Sequence, residues 1–256
     1  MEKYKINNKF HKNELLMNDP YLAKYVPETK ILTKYHLIDF LNKHNKIVVK
    51  PSRGSLGKGV IIITEKNPQE YELFILEKKR YIKGIDLLFT YLKKLEHPSI
   101  PCIIQYYIPL AKISELPFDL RYISQLYMNE WLITGKYGRI AKEGYAVTNF
   151  EHGSKIITVE EALQSSNIKN LDLFQFLTKI ENIVLSISRC LTAYFTKQTI
   201  WGCDIGIDEK GEIYVIEVNA APQTKGFLEL ESLKPMYKTI QSIQKQTKNK
   251  NDHFRI

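Results

Sequence analysis

No apolar run in this chain approaches the roughly 20 residues that span a bilayer, so a membrane-embedded role is not expected. The first ten residues, Met1 to Phe10, lack the apolar stretch of a secretory signal. Cysteine is scarce. Cys102, Cys190 and Cys203 are odd in number and far apart, which gives neither a disulfide framework nor a zinc-ligand spacing. A reducing cytoplasm is therefore the expected setting. No Ser/His/Asp or Cys/His constellation is readable, so nucleophilic hydrolysis has little support. There is no internal repeat or low-complexity segment. Nor is there the helix-turn-helix pattern or aromatic-and-basic array of a nucleic-acid reader.

What remains is an ordinary globular composition, 44% hydrophobic and 25% charged over 256 residues, enough for one large domain or two small lobes. The net charge of +9 suits an anionic partner, whether nucleotide, nucleic acid or acidic peptide. Part of that excess lies in the tail, where Lys245, Lys248, Lys250 and Arg255 meet only Asp252, and a solvated, frayed end accounts for it.

Residues 201–222 read as a β-hairpin, with Asp208-Glu209-Lys210-Gly211 as its turn. If Ile207 pairs with Glu212, Asp204 faces Val215, and Glu217 is its diagonal neighbour on the face shared by Val215, Glu217 and Asn219. Glu217 and Asn219 interrupt a run that otherwise reads as buried strand, and a buried carboxylate needs a partner such as a cation. Asp204, Glu217 and Asn219 would present hard oxygen ligands to Mg²⁺. An exposed acidic face on an ordinary hairpin is the plainer alternative.

A second chemical feature lies earlier. Strand Lys46–Lys50 is followed by Pro51-Ser-Arg-Gly54-Ser55-Leu-Gly57-Lys58-Gly59 and another strand, Val60–Thr64. Glycines bring backbone N–H groups close to phosphate oxygens. Lys58 is followed by Gly59 and a β-branched strand instead of Ser/Thr and a helix, which excludes a Walker A loop and the dinucleotide fingerprint. A flap over phosphates remains, with Lys50 pointing in; a flexible hairpin loop is the alternative.

Residues 1–35 read as a lead-in. Thr33 could cap a helix over about 34–44, and residues 66–98 have helical spacing. Ile100–Ile108 is a strand where two lobes would join. Phe118–Tyr127 and Trp131–Ile140 are strands around a turn at Asn129-Glu130, carrying Asp119, Arg121 and Arg139. Surface ion pairing is the ordinary reading of those charges, and clamping of phosphate or carboxylate the functional one. Thr148-Asn149 and His152 follow in a loop, His152 reading as an ordinary loop histidine. Asn170–Lys197 is the clearest helix, with a core stripe from Leu173 to Phe195.

These motifs together resemble the ATP-grasp superfamily, in particular its YheC/YheD group. They are Lys50-Pro with its Gly-Ser-Leu-Gly-Lys-Gly loop, Phe-Asp119-Leu-Arg121, Arg139, Thr148-Asn149, and Asp204 with Glu217-Val-Asn219 thirteen residues on. The chain is also similar to glutamate ligases that modify a ribosomal protein. The resemblance spans about residues 9–227. It implies that Lys50 contacts nucleotide phosphates, that Gly54, Ser55, Gly57 and Gly59 fold over them, and that the backbone of Gln105, Tyr106 and Tyr107 meets adenine. It places Asp119 near the ribose and Asn149 at the reacting groups, and has Asp204, Glu217 and Asn219 hold Mg²⁺, with Mn²⁺ as an alternative ion. Arg121 and Arg139 would steady phosphate or an acyl phosphate. Tyr106 stands where the family commonly has an acid, and Gly153-Ser154 where it often has Gly-Gly.

The expected fold is thus α+β, a two-lobed ATP-grasp fold with nucleotide between the lobes, lacking most of the usual N-terminal domain. Residues 1–29 form the lead-in, 30–104 the small lobe with its flap, 105–235 the large lobe with the metal site, and 236–256 a basic tail. The implied activity is Mg·ATP-dependent joining of a carboxylate to an amine through an acyl phosphate, with a peptide or protein among the candidate substrates. A partner could supply the missing domain. The alternative is a non-catalytic nucleotide-binding or spore-associated structural protein. Charge-driven nucleic-acid binding is a weaker third option.

Overall fold

The computed structural model describes residues 6–54, 57–75, 77–145 and 153–253. The lead-in opens with helix α1, Lys9–Met17, capped by Asn8, whose side chain accepts from the His11 amide. After a 3₁₀ turn at Ala23–Tyr25 comes the short strand β1, Thr29–Ile31. Helix α2, Lys34–Lys43, begins where expected, with Thr33 Oγ1 accepting from His36 N at 3.0 Å.

Strands β2 (Lys46–Pro51) and β3 (Ile61–Asn67) flank the glycine loop as an antiparallel pair. The expected helix over 66–98 is only partly there. Residues Glu70–Ile75 and Lys78–Lys83 are strands β4 and β5, and helix α3 occupies Ile85–Leu95. The spacing misled because Tyr71 and Leu73 alternate inward as a strand does, burying against β3 and the helices beneath. Helical spacing holds for Leu88 and Leu92, the buried face of α3. Strand β6, Cys102–Tyr106, runs between β1 and β2, giving the small-lobe order β1-β6-β2-β3-β4-β5.

The large sheet is built from β7 (Lys112–Ile113), β8 (Leu116–Tyr127), β9 (Glu130–Ile140) and β10 (Lys155–Ile157). Helices α4 (Val159–Gln164) and α5 (Leu173–Thr192) follow. Strands β11 (Ile200–Ile207) and β12 (Ile213–Asn219) complete the order β10-β9-β8-β11-β12, with β7 on β8. The β8–β9 turn falls one residue earlier than expected. Met128 and Asn129 both take positive φ, the two-residue turn that matches strand twist.

Helix α5 buries Ile180, Ile183, Val184, Ile187 and Leu191 on the large sheet, each such side chain contributing roughly 1.5–3 kcal/mol. Two segments read as accessory are part of this lobe. Leu15, Leu16, Leu22 and Tyr25 of the lead-in join the α5 core. The tail forms helix α6, Lys234–His253, whose Ile240 is buried against Phe227 and Tyr137. An apolar position every few residues in an otherwise basic segment was the signal for this docking, and the charge obscured it.

Candidate active site

The hairpin of β11 and β12 carries the expected carboxylates, but in a different register. Ile207 pairs with Ile213, and a bulge beside Ile205 leaves Ile216 unpaired, so that Asp204 lies directly opposite Glu217. Val215 faces Ile205 instead and is wholly buried in the core, so it does not share the face of Glu217 and Asn219. The bulge was not readable, because nothing in Tyr-Val-Ile-Glu marks which residue is extra. Its effect brings the two carboxylates closer than a diagonal pair.

On its other side Asp204 pairs across the sheet with Arg121 of β8, and Asp119 pairs with Arg139 of β9. Arg121 Nε donates to Asp204 Oδ1 at 2.5 Å and its Nη2 to Oδ2 at 3.1 Å. Arg139 donates to both Asp119 oxygens at 2.7 and 2.5 Å, and its Nη2 lies 3.1 Å from Asp204 Oδ1. All four groups are at most 8% exposed, so these are buried ion pairs and not the surface pairs that the sequence alone allows. Burial alone would raise the Asp204 pKa, but Arg121 and Arg139 overcome it and hold the carboxyl below its usual range. Arg139 in turn is kept charged against burial by Asp119 and Asp204.

From the small lobe, Lys50 reaches into the same cleft. Its Nζ donates to Gln105 Oε1 at 2.7 Å. Gln105 Nε2 donates to Thr29 Oγ1 at 2.9 Å, and that hydroxyl donates to Pro27 O at 2.7 Å. The Gln105 side chain therefore aims the lysine, a job not foreseen for it. Burial lowers the Lys50 pKa to about 8, partly opposed by Glu217. Gly54, Gly57 and Gly59 all have positive φ, the conformation that makes glycine necessary in the loop after β2. At Gly59 a Cβ would also stand 2.9 Å from Pro51 Cγ.

These groups line one cavity of about 320 Å³ between the two sheets. Lys50, Gly54, Gly57, Gln105, Tyr106, Tyr107, Asp119, Arg121, Arg139, Asp204, Glu217 and Asn219 all border it. Gly59 sits in the adjoining loop, while Ser55, Asn149, Thr148 and His152 lie outside the described residues. Val48, Ile62, Ile108, Leu110 and Ile216 add apolar wall to the cavity. Asp119 is only 2% exposed, and both its carboxylate oxygens accept from Arg139.

Two lysines of α1 escaped notice. Lys9 borders the cavity with its Nζ 3.4 Å from Glu217 Oε1, and Lys12 is buried beside it, its pKa lowered to about 8 chiefly by that burial. The available signal was two lysines at i and i+3 on the same side as Leu16, a core pattern with charges where apolar residues belong.

Among the described residues no three His, Cys, Asp or Glu side chains gather into a metal cage. Two carboxylates and the Asn219 amide are oxygen donors of the kind a hard cation takes, with both Asp204 oxygens also accepting from guanidinium groups. The Lys9 ammonium beside Glu217 also marks a place where positive charge is stabilised.

Residues 1–245 match the model of the family described as YheC/D like ATP-grasp. The chain is 23% identical over 227 residues to the endospore coat-associated protein YheD of Bacillus subtilis, a match that covers 84% of this chain and 48% of that one. It is 27% identical over 233 residues to the coenzyme gamma-F420-2:alpha-L-glutamate ligase of Methanococcus maripaludis, covering 89% and 63%. The chain thus spans about half to three-fifths of the length of these curated relatives. The D-alanyl-alanine synthetase A of Vibrio cholerae shares the fold at 13% identity, with a TM-score of 0.55 over 97% of this chain and 66% of that one.

Proposed function

Because this chain belongs to the YheC/D-like ATP-grasp family, we propose that it is an ATP-dependent ligase that joins a carboxylate to an amine through an acyl phosphate. The observation that carries this reading is the meeting, across one cleft, of the buried Lys50 and the glycine loop with the Asp204–Glu217 pair. In the proposed reaction a substrate carboxylate oxygen attacks the terminal phosphorus of ATP, the bond to the bridging oxygen breaks and ADP leaves. The amine nitrogen then attacks the acyl carbon, phosphate departs, and the nitrogen releases its proton. Phosphoryl transfer of this kind asks the protein for positioning and charge neutralisation, not for a nucleophile of its own.

Lys50, fixed by Gln105, places one positive charge on the phosphates. Gly54, Gly57 and Gly59 let the loop backbone approach them, and Arg121 and Arg139 hold positive charge at the end where the acyl phosphate would form. Asp204, Glu217 and Asn219 would hold Mg²⁺, which supplies neutralisation of phosphate oxygens when bound. Asp119 keeps Arg139 in place. Glutamate ligation by one relative supports an acidic amino acid or peptide as substrate, in keeping with the +9 charge. Likeness to a coat-associated protein supports association with the spore, and no described helix is long and apolar enough to cross a membrane. The test is ADP formation from Mg·ATP in the presence of mixed carboxylates and amines. Turnover that depends on both substrates is expected, and ATP consumption indifferent to both would refute the proposal.

The lowered Lys50 pKa sets a pH dependence. In the nucleotide-free protein the cost of burying charged Lys50 is fully present below about pH 8 and is relieved as pH rises from about 8 towards 10.5, so stability gains over that window. Phosphate binding needs the charged form. Mg·ADP affinity is therefore expected to fall above about pH 8, by up to about tenfold per pH unit. Calorimetric titration between pH 7 and 9.5 checks this, with the Lys50→Arg protein expected to give a flat profile.

A further inference from the structure

Strand β9 brings a second polar side chain to the cavity, beside that of Arg139. Tyr137 lies two residues before Arg139, so it shares that face of the strand, and it pairs across the sheet with Arg121. It borders the cavity while only 3% exposed. Its ring packs edge-on against Phe227, with 4.7 Å between centroids, which fixes the direction of the hydroxyl. At Gly226 a Cβ would stand 2.8 Å from Tyr137 Oη, so a glycine there keeps the space of that hydroxyl open. The hydroxyl makes no hydrogen bond to a described residue. Beside it, Arg121 donates to Asp204 through Nε and Nη2, and its Nη1 has no acceptor among the described residues. A Cβ on Gly202 would lie 3.5 Å from that Nη1 and would collide with Pro222, so the segment after β12 closes over the same corner. Two donors from paired positions of β8 and β9 therefore stand unengaged at one corner of the cavity.

We propose that Tyr137 Oη and Arg121 Nη1 hold the oxygen of the substrate carboxylate that does not attack phosphorus. The proposal rests on the reading of the cleft as a carboxylate–amine ligase. When the amine nitrogen bonds to the acyl carbon, the electron pair of the C=O double bond moves onto that oxygen. The pair returns when phosphate departs with the electrons of its own bond to carbon. Donors already aimed at the oxygen stabilise the charge that develops there. Burial pushes the Tyr137 phenol above its ordinary pKa, against Arg121 and Arg139, so the hydroxyl keeps its proton and serves as a donor, not as a base. Were Tyr137 only a core ring against Phe227, phenylalanine would replace it without loss.

The test is hydroxamate formation by the full chain from Mg·ATP, a mixture of amino acids and hydroxylamine as the amine. Tyr137→Phe keeps the ring and removes one oxygen, so its melting temperature should match that of wild type. Its kcat is expected to fall about 10²-fold, as for loss of one oxyanion donor, while KM for ATP and Mg·ADP affinity stay within about twofold. A kcat within about threefold of wild type would overturn the subsite and leave the ligase reading standing. Wild type that binds Mg·ADP but forms no hydroxamate would instead refute the ligase reading, and the subsite with it. If Tyr137→Phe does not fold, Gly226→Ala carries the test, because its methyl group displaces the hydroxyl. The same loss of kcat is expected there, and an unchanged kcat would overturn the subsite.

Discussion

The Glu217→Ala protein is expected to form ADP about 10²- to 10³-fold more slowly than wild type while keeping its fold. On the proposed reading the loss is that of one ligand to the cation that would neutralise the phosphoryl oxygens. Glu217 is the less committed of the two facing carboxylates. Its side chain is 20% exposed and its cation is the single ammonium of Lys9, whereas Asp204 is gripped by two guanidinium groups. Its removal takes the nearest counter-ion from Lys9 and Lys12, both buried, so some loss of stability is expected beside the loss of rate. Single-turnover ADP formation, with melting temperature as the control, separates the two effects. A rate within tenfold of wild type would remove Glu217 from the reacting site.

The second large effect is on stability. Arg139→Ala would strip the guanidinium from Asp119, which is 2% exposed, and remove one of the two groups that neutralise Asp204. Breaking a buried pair from one side costs about 3–5 kcal/mol, because the remaining charge is left without a partner. For a chain of this size that corresponds to a fall in melting temperature of roughly 6–20 °C. The double variant Asp119→Leu with Arg139→Met should recover most of the loss, since it takes the charge away from both sides. Ion pairing also sets the acid limit. The folded-state pKa of Asp204 is depressed, so its contribution is present above the unfolded value of about 4 and is lost as pH falls through the lower folded value. Thermal melts of wild type, Arg139→Ala and the double variant at pH 7 and at about pH 3.5 check both statements.

Much of the site was legible because its chemistry is written in residues that conflict with their surroundings. Glu217 and Asn219 break an apolar strand, Lys50 ends one, and three glycines punctuate the loop between two strands. Each is a local inconsistency that burial would make costly without a ligand. What stayed hidden depends on register or on tertiary contact. The bulge that sets Asp204 against Glu217 leaves no mark in composition. Strands β4 and β5 read as helix because Tyr71, Phe74 and Ile75 fit either period over so short a run. Asp119, Arg121 and Arg139 were singled out, but only the sheet pairing reveals that they neutralise one another and Asp204. Lys9 lies in α1, just over two hundred residues before Glu217 in the chain, and only packing of that helix on the large lobe brings it into the cleft.

The central claim, carboxylate activation by ATP in this cleft, is tested most directly by oxygen transfer. The protein is incubated with Mg·ATP, an amine mixture and amino acids carrying ¹⁸O in their carboxylates, and the released phosphate is analysed by mass spectrometry. Formation of an acyl phosphate predicts one ¹⁸O per phosphate released, matched by an equal yield of amide, with release slowed about 10²- to 10³-fold in Glu217→Ala. Phosphate that carries no carboxylate oxygen, its new oxygen drawn from water, would contradict the account.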